Sequence, residues 1–161
     1  MIVIADTSPL NYLILIGAAD VLPSLYRSVR IPPACAAELA APDAPTAVTQ
    51  WIRNKPEWLL VTAPLDAGDP RIAHLDNGEK EAISLALELG ADLLLIDERD
   101  GRKAAQACGL TVAGTLRVLA DAADGGLIAW EDAISRLQAT TFRVDPRVLT
   151  MLEQQRQKPG G

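Results

Sequence analysis

The hydrophobic positions along the chain form short continuous apolar runs that alternate with longer segments of helical periodicity. Two runs, the first and the fourth, have the length and composition of buried strands, and three further segments are weaker strand candidates. The predicted strands are residues 1–5, 28–31, 58–61, 93–96 and 110–113. Helices are predicted over residues 10–16, 21–26, 33–40, 44–54, 78–89, 99–107, 115–123, 130–138 and 146–155.

Strands that alternate with helices and are apolar throughout are typical of a parallel sheet covered on both faces. The sequence therefore predicts an α/β fold, with three α/β/α layers around a central parallel sheet of about five strands. No internal repeat or interdomain linker divides the chain. We therefore expect a single domain over residues 1–157, followed by a disordered tail at 158–161.

Composition and charge narrow the class of protein. Apolar residues make up 49% of the chain, enough for a core, whereas 21 acidic and 15 basic side chains give a net charge of −6. The chain thus lacks the basic surface of a protein that coats nucleic acid without a metal. Two cysteines are too few for a disulfide scaffold, and neither a membrane span nor a signal peptide is recognisable. We expect a soluble cytoplasmic protein with no membrane partner.

An aspartate directly follows each of the two strongest predicted strands, Asp6 after the first and Asp97 after the fourth. Ligands bind beyond the carboxyl ends of parallel strands, so these carboxylates would meet if the two strands are neighbours. No lysine or arginine adjoins Asp6 in the sequence, which favours a metal over a salt bridge. The alternative is helix capping. Ser8, before Pro9, is the better N-cap for the first helix, whereas capping explains Asp97 well.

Other acidic residues are candidates for the same site. Glu79 and Glu81 open the predicted helix 78–89, and Asp76 with Glu79 also matches a capping box, a role compatible with metal binding. Glu38 is alone on an alanine-rich helix, where a solvated glutamate is the common alternative. Asp100 is either a fifth ligand or an acid that favours a helix start.

Several segments resemble the PIN-domain nucleases, which include the toxin halves of VapBC-type toxin–antitoxin pairs. In order, they are IADTSPLNYLILIG, IPPACAAEL, LDNGEKEAISLALELG and ADLLLIDERDGRKAA. Two later stretches, GTLRVLADAADGGLI and TTFRVDPRVLTMLE, look like a poorly characterised prokaryotic branch of the family. The resemblance runs along nearly the whole chain and implies a PIN-like fold.

The resemblance also implies catalytic and metal-binding positions. The family's four acidic positions fall on Asp6, Glu38, Glu79 and Asp97, with Asp100 or Glu81 as further candidate ligands. A hydroxyl near the first aspartate would come from Thr7 or Ser8. The alternative role of Thr115 is N-capping. The alternative for the basic residues Arg99, Arg102 and Lys103 is that they form an ordinary solvated face of a helix. The candidate substrate-binding residues are Thr7, Ser8, Arg99, Arg102, Lys103 and Thr115.

One position departs from the family pattern. Arg99 stands two residues beyond Asp97, where many members have an acid or an asparagine, and this departure concerns the ligands of a second metal. It keeps open the alternative of a non-catalytic PIN-like module that binds RNA or protein.

Phosphoryl-transfer enzymes of the haloacid dehalogenase type require a second aspartate at position 8, which is Ser8. Receiver domains require an acidic pair and a lysine that are not evident here.

The implied activity is that of an endoribonuclease that depends on Mg²⁺ or Mn²⁺. Carboxylate oxygens are hard ligands that suit these ions, and no cluster of histidine and cysteine competes with that interpretation. A metal-activated water would hydrolyse an RNA phosphodiester bond, and the bound ion would offset the acidic charge of the site. By resemblance, the expected partners are an RNA substrate, a small antitoxin protein, and a second copy of the chain through apolar residues near Tyr12 to Leu25.

Overall fold

Five short parallel strands form the centre of the molecule. The computed structural model describes residues 1–157 of the chain, and the side chains of residues 1–156. The strand order in the sheet is β3-β2-β1-β4-β5, and every neighbouring pair is parallel. The strands are β1 (Val3–Ala5), β2 (Val29–Ile31), β3 (Leu59–Val61), β4 (Leu93–Leu95) and β5 (Val112–Ala113).

Helices cover both faces of this sheet, which confirms the predicted three-layer α/β/α class. They are α1 (Thr7–Leu15), α2 (Val21–Tyr26), α3 (Pro33–Leu39), α4 (Thr46–Arg53), α5 (Asn77–Leu89), α6 (Arg99–Ala107), α7 (Thr115–Asp124), α8 (Trp130–Gln138) and α9 (Pro146–Gln157). A single 3₁₀ turn, Pro70–Ile72, interrupts the long loop before α5. The predicted tail at 158–161 lies outside the described residues.

The strands alternate their side chains between two separate apolar layers, as the two-residue period of a strand requires. Ile4 and its register partner Leu94 point into the layer formed with α5 and α6. Val3 and Leu95 point into the larger opposite layer, which the remaining helices complete. Covering both faces in this way explains why the two central strands, β1 and β4, are apolar at every position.

Helix α1 begins at Thr7, three residues before its predicted start. Asp6 occupies the N-cap position with an extended backbone, although its side chain makes no capping hydrogen bond. The expectation that Ser8 caps this helix is wrong, because Ser8 lies in the first turn and its hydroxyl donates to Asp97. Pro9 is tolerated there because the N–H groups of a first helical turn have no partner within the helix.

The strand order reverses between β1 and β4, at the centre of the sheet. From β1 the chain builds β2 and β3 on one side, and then crosses to β4 and β5 on the other. Strands β1 and β4 are therefore neighbours, which is the condition under which Asp6 and Asp97 were expected to meet, and the Asp6 amide extends their pairing by donating to Leu95 O at 2.8 Å. Such a switch point leaves a crevice beyond the carboxyl ends of the strands.

No helix within residues 1–157 combines the length and the apolar character needed to cross a membrane.

Candidate active site

An open cleft of about 1170 Å³ lies beyond the carboxyl ends of β1 and β4. Its lining includes residues from the ends of both strands, from α1 and α3, and from the first turns of α5 and α6. The structure thus brings together the four acidic side chains singled out in the sequence. They are Asp6, Glu38, Glu79 and Asp97.

Asp6 is buried in the cleft without a cationic partner. Its side chain is 5% exposed, and the Cys35 thiol donates to its Oδ1 at 3.3 Å. Burial raises the pKa of Asp6 to about 6, because desolvation disfavours the carboxylate more than its hydrogen bonds favour it. Burial also raises the pKa of the Cys35 thiol, which therefore stays protonated and remains a donor.

Glu79 lies in the first turn of α5, the element that the capping box predicted. The Asp76 carboxylate accepts from the Glu79 amide at 2.9 Å, so Asp76 is the N-cap of α5. The Glu79 side chain is buried and lines the cleft. Burial, followed by the nearby Asp76 and Asp6 carboxylates, raises the pKa of Glu79 to about 7. Capping and a place in the cleft therefore coexist in this turn.

Glu38 reaches the same region from α3, and Gly78 leaves the space for it. A Cβ on Gly78 would lie 2.6 Å from Glu38 Oε1 and 3.5 Å from Asp6 Oδ1. The two carboxylates therefore flank the same point beside the backbone of α5. The Glu38 side chain is exposed, as expected for a solvated glutamate, and it also lines the cleft.

Asp97 is held by three donors from two helices. Ser8 Oγ donates to its Oδ2 at 2.9 Å, the Thr115 amide donates to Oδ1 at 2.7 Å, and Thr115 Oγ1 donates to Oδ2 at 2.7 Å. Capping of α6 does not explain Asp97, because Glu98 is the N-cap residue of that helix. The N-capping role of Thr115 is also wrong, since the N-cap position of α7 is Gly114. Asp97 instead satisfies the first amide of α7 from a distant part of the chain.

Gly114 allows this close approach. A Cβ at this position would lie 2.8 Å from Asp97 Oδ1 and 3.2 Å from Arg102 Nη1. The guanidinium of Arg102 is therefore close to the site of Asp97, and Arg99 and Lys103 from the same helix also line the cleft. Three candidate substrate-binding cations are thus brought to the acidic residues.

Two of the candidate ligands are not brought to the cleft. Glu81 points to the N-terminus of α3, where its Oε1 accepts from the Ala34 amide at 3.4 Å. Asp100 is exposed in the first turn of α6 and does not line the cleft. Glu79 and Glu81 are two residues apart on a helix and so project in different directions, which separates the two glutamates.

Sequence reasoning missed several residues that line the cleft. Asp76 and Glu98 add two carboxylates, and both also raise the pKa of Glu79. Asp76 was recognisable only as an N-cap, and Glu98 only as a neighbour of Asp97. The basic residues contributed by α7 and by the segment around the start of α9 carried no local signal. They are Arg117, Arg143 and Arg147.

The sequence matches the DUF3368 family of PIN domains over residues 2–158, nearly its whole length. The chain is a PIN domain. A solved structure supports this fold: a PilT N-terminus domain protein from the hyperthermophilic archaeon Sulfolobus solfataricus P2, with a TM-score of 0.55. That protein is 20% identical to the chain, and the alignment covers 75% of this chain and 92% of the archaeal chain. Comparison with curated proteins gives no match.

PIN domains are generally nucleases that use divalent metal ions, and the donors of this PIN domain fit such an ion. In residues 1–157, no three acidic, histidine or cysteine side chains are as close together as a bound metal would require. The cleft nevertheless offers hard carboxylate donors that form no ion pair in the described part of the chain. Burial is the main cause of the raised pKa values of Asp6 and Glu79, and a bound cation would offset the negative charge that burial disfavours.

Thr7 is a further polar group at this site of the PIN domain. Its Oγ1 is buried and has no hydrogen-bond partner among the described residues, and the residue lines the cleft. A buried hydroxyl without a partner is uncommon, since leaving it unsatisfied costs stability. Thr7 and Ser8 thus differ: Ser8 donates to Asp97, whereas the Thr7 hydroxyl lies beside the Cys35 thiol.

Proposed function

We propose that this PIN domain is an endoribonuclease that depends on Mg²⁺ or Mn²⁺. The observation that carries the proposal is the convergence of four carboxylates without cationic partners on one cleft at the switch point of the sheet. Asp6, Glu79 and Asp97 would hold the cation, with Glu38 binding it directly or through a water. The bound ion would supply an activated water and stabilise the leaving oxygen of the phosphodiester.

The remaining polar residues orient the site and the substrate. Ser8 and Thr115 fix the direction of the Asp97 carboxylate, so that its oxygens need not reorganise during the reaction. The RNA phosphates would be contacted by Arg99, Arg102 and Lys103, which line the cleft. An acidic protein needs such local cations to bind a polyanion. A metal that offsets the charge of the acids would allow the polyanion to approach.

The resemblance to VapBC-type toxins supports a finer proposal, namely that the protein is the toxin half of a toxin–antitoxin pair in the cytoplasm. A small antitoxin would then act by covering the cleft.

A homodimer is proposed on the same resemblance. The apolar residues near Tyr12 to Leu25 include Leu13 and Leu22, which are fully buried in the chain's own core. A dimer surface there would depend on the half-buried Tyr12, Leu15 and Leu25.

The nuclease proposal is tested by incubating the purified protein with a structured RNA that contains single-stranded loops. The reactions contain Mg²⁺, Mn²⁺ or EDTA, and Asp6→Asn and Asp97→Asn are compared with the wild type. Asp43→Asn is the matched control because Asp43 is exposed and does not line the cleft. We expect internal cleavage that requires a metal, persists in the control and is lost in both cleft variants.

If neither metal supports cleavage of several RNAs, calorimetric titration with Mn²⁺ separates the remaining outcomes. Binding of Mn²⁺ without cleavage would contradict the nuclease proposal for those RNAs and favour a PIN-like module that binds RNA or protein. Absence of Mn²⁺ binding would overturn the carboxylate metal site itself. Cleavage that persists in EDTA would equally contradict a metal-dependent mechanism.

A further inference from the structure

One side of the cleft comes from the C-terminal part of the chain. Residues 139–147, named here the C-terminal wall, connect α8 to the first turn of α9. Phe142, Arg143 and Arg147 of this wall line the cleft together with the four acids. None of the metal-binding or catalytic roles proposed above involves this segment, although it lies beside the same space.

Contacts with α1 fasten the C-terminal wall to the body of the protein. Tyr12 Oη and Thr141 Oγ1 share a hydrogen bond of 2.9 Å across 129 residues of sequence. The rings of Tyr12 and Phe142 pack edge to face, with their centroids 5.0 Å apart and their planes at 77°. The Phe142 amide also donates to Thr140 Oγ1 at 3.1 Å. The wall is therefore a formed surface of the cleft.

The charges of the C-terminal wall are available to a ligand. Arg143 and Arg147 are exposed, and neither forms an ion pair within the part of the chain that the structure describes. The one acid of the wall that lines the cleft, Asp145, accepts from the Arg147 amide at 2.9 Å and so has a local partner. Exposed guanidinium groups that form no ion pair are suited to bind phosphate oxygens.

The distribution of cations over the whole molecule supports a polyanionic ligand. Within the part of the chain that the structure describes, six lysines and arginines line this cleft beside seven acidic residues, in a chain whose net charge is −6. They come from three separate parts of the chain, so local composition does not explain their convergence. The six are Arg99, Arg102, Lys103, Arg117, Arg143 and Arg147.

We propose that the C-terminal wall is a nucleotide-binding subsite for single-stranded RNA. Arg143 and Arg147 bind backbone phosphates beside the scissile bond, and an unpaired base stacks on the aromatic pair Tyr12 and Phe142. The proposal rests on the nuclease function above, and it adds the residues that hold the substrate. A single strand is the fitting form because its bases can leave the stack to reach aromatic side chains, whereas duplex bases are enclosed.

The phosphate contacts are tested by fluorescence anisotropy with a short fluorescein-labelled single-stranded RNA of mixed sequence. The protein carries Asp6→Asn, so that it binds in Mg²⁺ without cleaving. In this background Arg143→Ala/Arg147→Ala is compared with Arg53→Ala/Arg71→Ala, which removes the same charge from outside the cleft. We expect the Kd of the wall variant to rise at least about tenfold. The slope of log Kd plotted against the logarithm of the salt concentration should fall by about 1.4 in this variant. Each phosphate contact to a single strand contributes about 0.7 to that slope, and two contacts are removed. The control variant should keep the slope of its parent.

The stacking contact is tested with Phe142→Leu and Phe142→Tyr in the same assay. The leucine variant should bind RNA several-fold more weakly, whereas the tyrosine variant should restore binding because it keeps the aromatic face. Circular dichroism melting of both variants shows whether the wall stays folded. A duplex of the same sequence should compete only weakly with the labelled single strand.

Cleavage kinetics distinguish failure of this proposal from failure of the nuclease function. In protein with intact acids, Arg143→Ala/Arg147→Ala should raise KM while kcat stays within about threefold of the wild type. Cleavage with an unchanged KM, Kd and salt slope would overturn the C-terminal wall as a subsite and leave the nuclease function standing. RNA binding that depends on the wall without any cleavage would support the subsite and overturn the nuclease function. Absence of RNA binding by the parent protein would overturn the subsite directly.

Discussion

Asp6 is a buried acidic residue whose negative charge is unfavourable in the folded protein. Its carboxylate is buried beside the Glu79 and Glu38 acids and receives only the weak thiol donor of Cys35. Desolvation therefore penalises the charged form, and the pKa of Asp6 rises from 3.8 to about 6. A divalent cation would convert this unfavourable charge into a ligand.

Replacing Asp6 by asparagine should stabilise the metal-free protein at neutral pH while abolishing metal-dependent cleavage. The folded protein holds the Asp6 proton more tightly than the unfolded chain, so stability falls as pH rises from about 4 to about 6. At pH 7.5 in EDTA we expect the free energy of unfolding of Asp6→Asn to exceed that of wild type by about 3 kcal/mol. Most of this difference should vanish by about pH 4, where wild-type Asp6 is protonated.

Chemical denaturation at both pH values measures this effect, with the exposed Asp43→Asn as control. A difference between Asp6→Asn and wild type that is the same at both pH values would contradict a titrating, buried Asp6. A variant less stable than wild type at pH 7.5 would show that the carboxylate is compensated in the folded protein.

The three donors on Asp97 make a second prediction at the scale of single residues. Thr115→Val keeps the shape of the side chain but removes the hydroxyl that donates to Asp97 at 2.7 Å. We expect kcat to fall about tenfold, because the carboxylate loses part of its orientation, and stability to fall by about 1 kcal/mol. Thr115→Ser keeps the hydroxyl and should retain most of the activity.

Steady-state cleavage rates and thermal melting of the two variants provide the measurement. Equal activity of Thr115→Val and wild type would show that Ser8 and the Thr115 amide suffice to orient Asp97. Equal losses in the valine and serine variants would assign the effect to packing and not to the hydroxyl.

At the scale of elements, the start of α5 combines a structural and a chemical role. Asp76 caps the helix, Glu79 enters the cleft, and Gly78 leaves room for Glu38 from α3. The capping box was recognisable in the sequence because it depends on residues three apart. The approach of α3 was not, because it depends on packing between two helices that belong to different parts of the chain.

Gly78→Ala should therefore separate activity from stability. The new Cβ would lie 2.6 Å from Glu38 Oε1, and the exposed Glu38 side chain can rotate away from it at little cost. Alanine also favours the helix over glycine by up to about 1 kcal/mol. We expect a melting temperature close to that of wild type and a loss of cleavage of about tenfold or more.

Gly125→Ala is the matched control for this prediction. Its Cβ would meet its nearest neighbour at 3.5 Å, an ordinary contact, far from the acidic residues. Cleavage assays and melting curves of both variants are compared. Full activity of Gly78→Ala would remove Glu38 from the catalytic set, while a collapse of its melting temperature would show that the clash is not relieved by Glu38 alone.

At the scale of the whole molecule, the proposed metal binding would be linked to folding. A ligand that binds only the folded protein stabilises it, and the gain is about 2.7 kcal/mol at one hundred times the Kd. The cleft lies at the junction of the central strands with six helices, so the gain should appear in the cooperative unfolding of the whole protein. Asp97→Asn removes one donor and should reduce the gain.

Thermal melting with increasing Mn²⁺ measures this linkage. We expect the melting temperature to rise with Mn²⁺ at pH 7.5, to rise less at pH 5, and to rise less in Asp97→Asn than in wild type at the same pH. The pH effect follows from the pKa values of Asp6 and Glu79, about 6 and 7, because both must lose a proton to bind the ion. An equal Mn²⁺ effect in Asp97→Asn and wild type would place the metal elsewhere.

The sequence by itself determined the order of strands and helices, the parallel sheet and the acids at the strand ends. These features depend on local periodicity and on residues a few positions apart, so Asp6, Asp97 and the Asp76 cap were recognisable from pattern alone. Their assignment as a PIN domain came from resemblance and was confirmed by the family match over residues 2–158.

Only the tertiary structure decided which side chains meet. It turned Ser8 and Thr115 from expected caps into donors to Asp97, and it directed Glu79 into the cleft while Glu81 reached α3. It also brought the C-terminal wall to the acidic residues of the cleft, with the Tyr12–Thr141 hydrogen bond joining residues 129 positions apart. Local patterns specify which elements form, whereas such contacts depend on how those elements pack around the sheet, and a linear pattern carries little information about that.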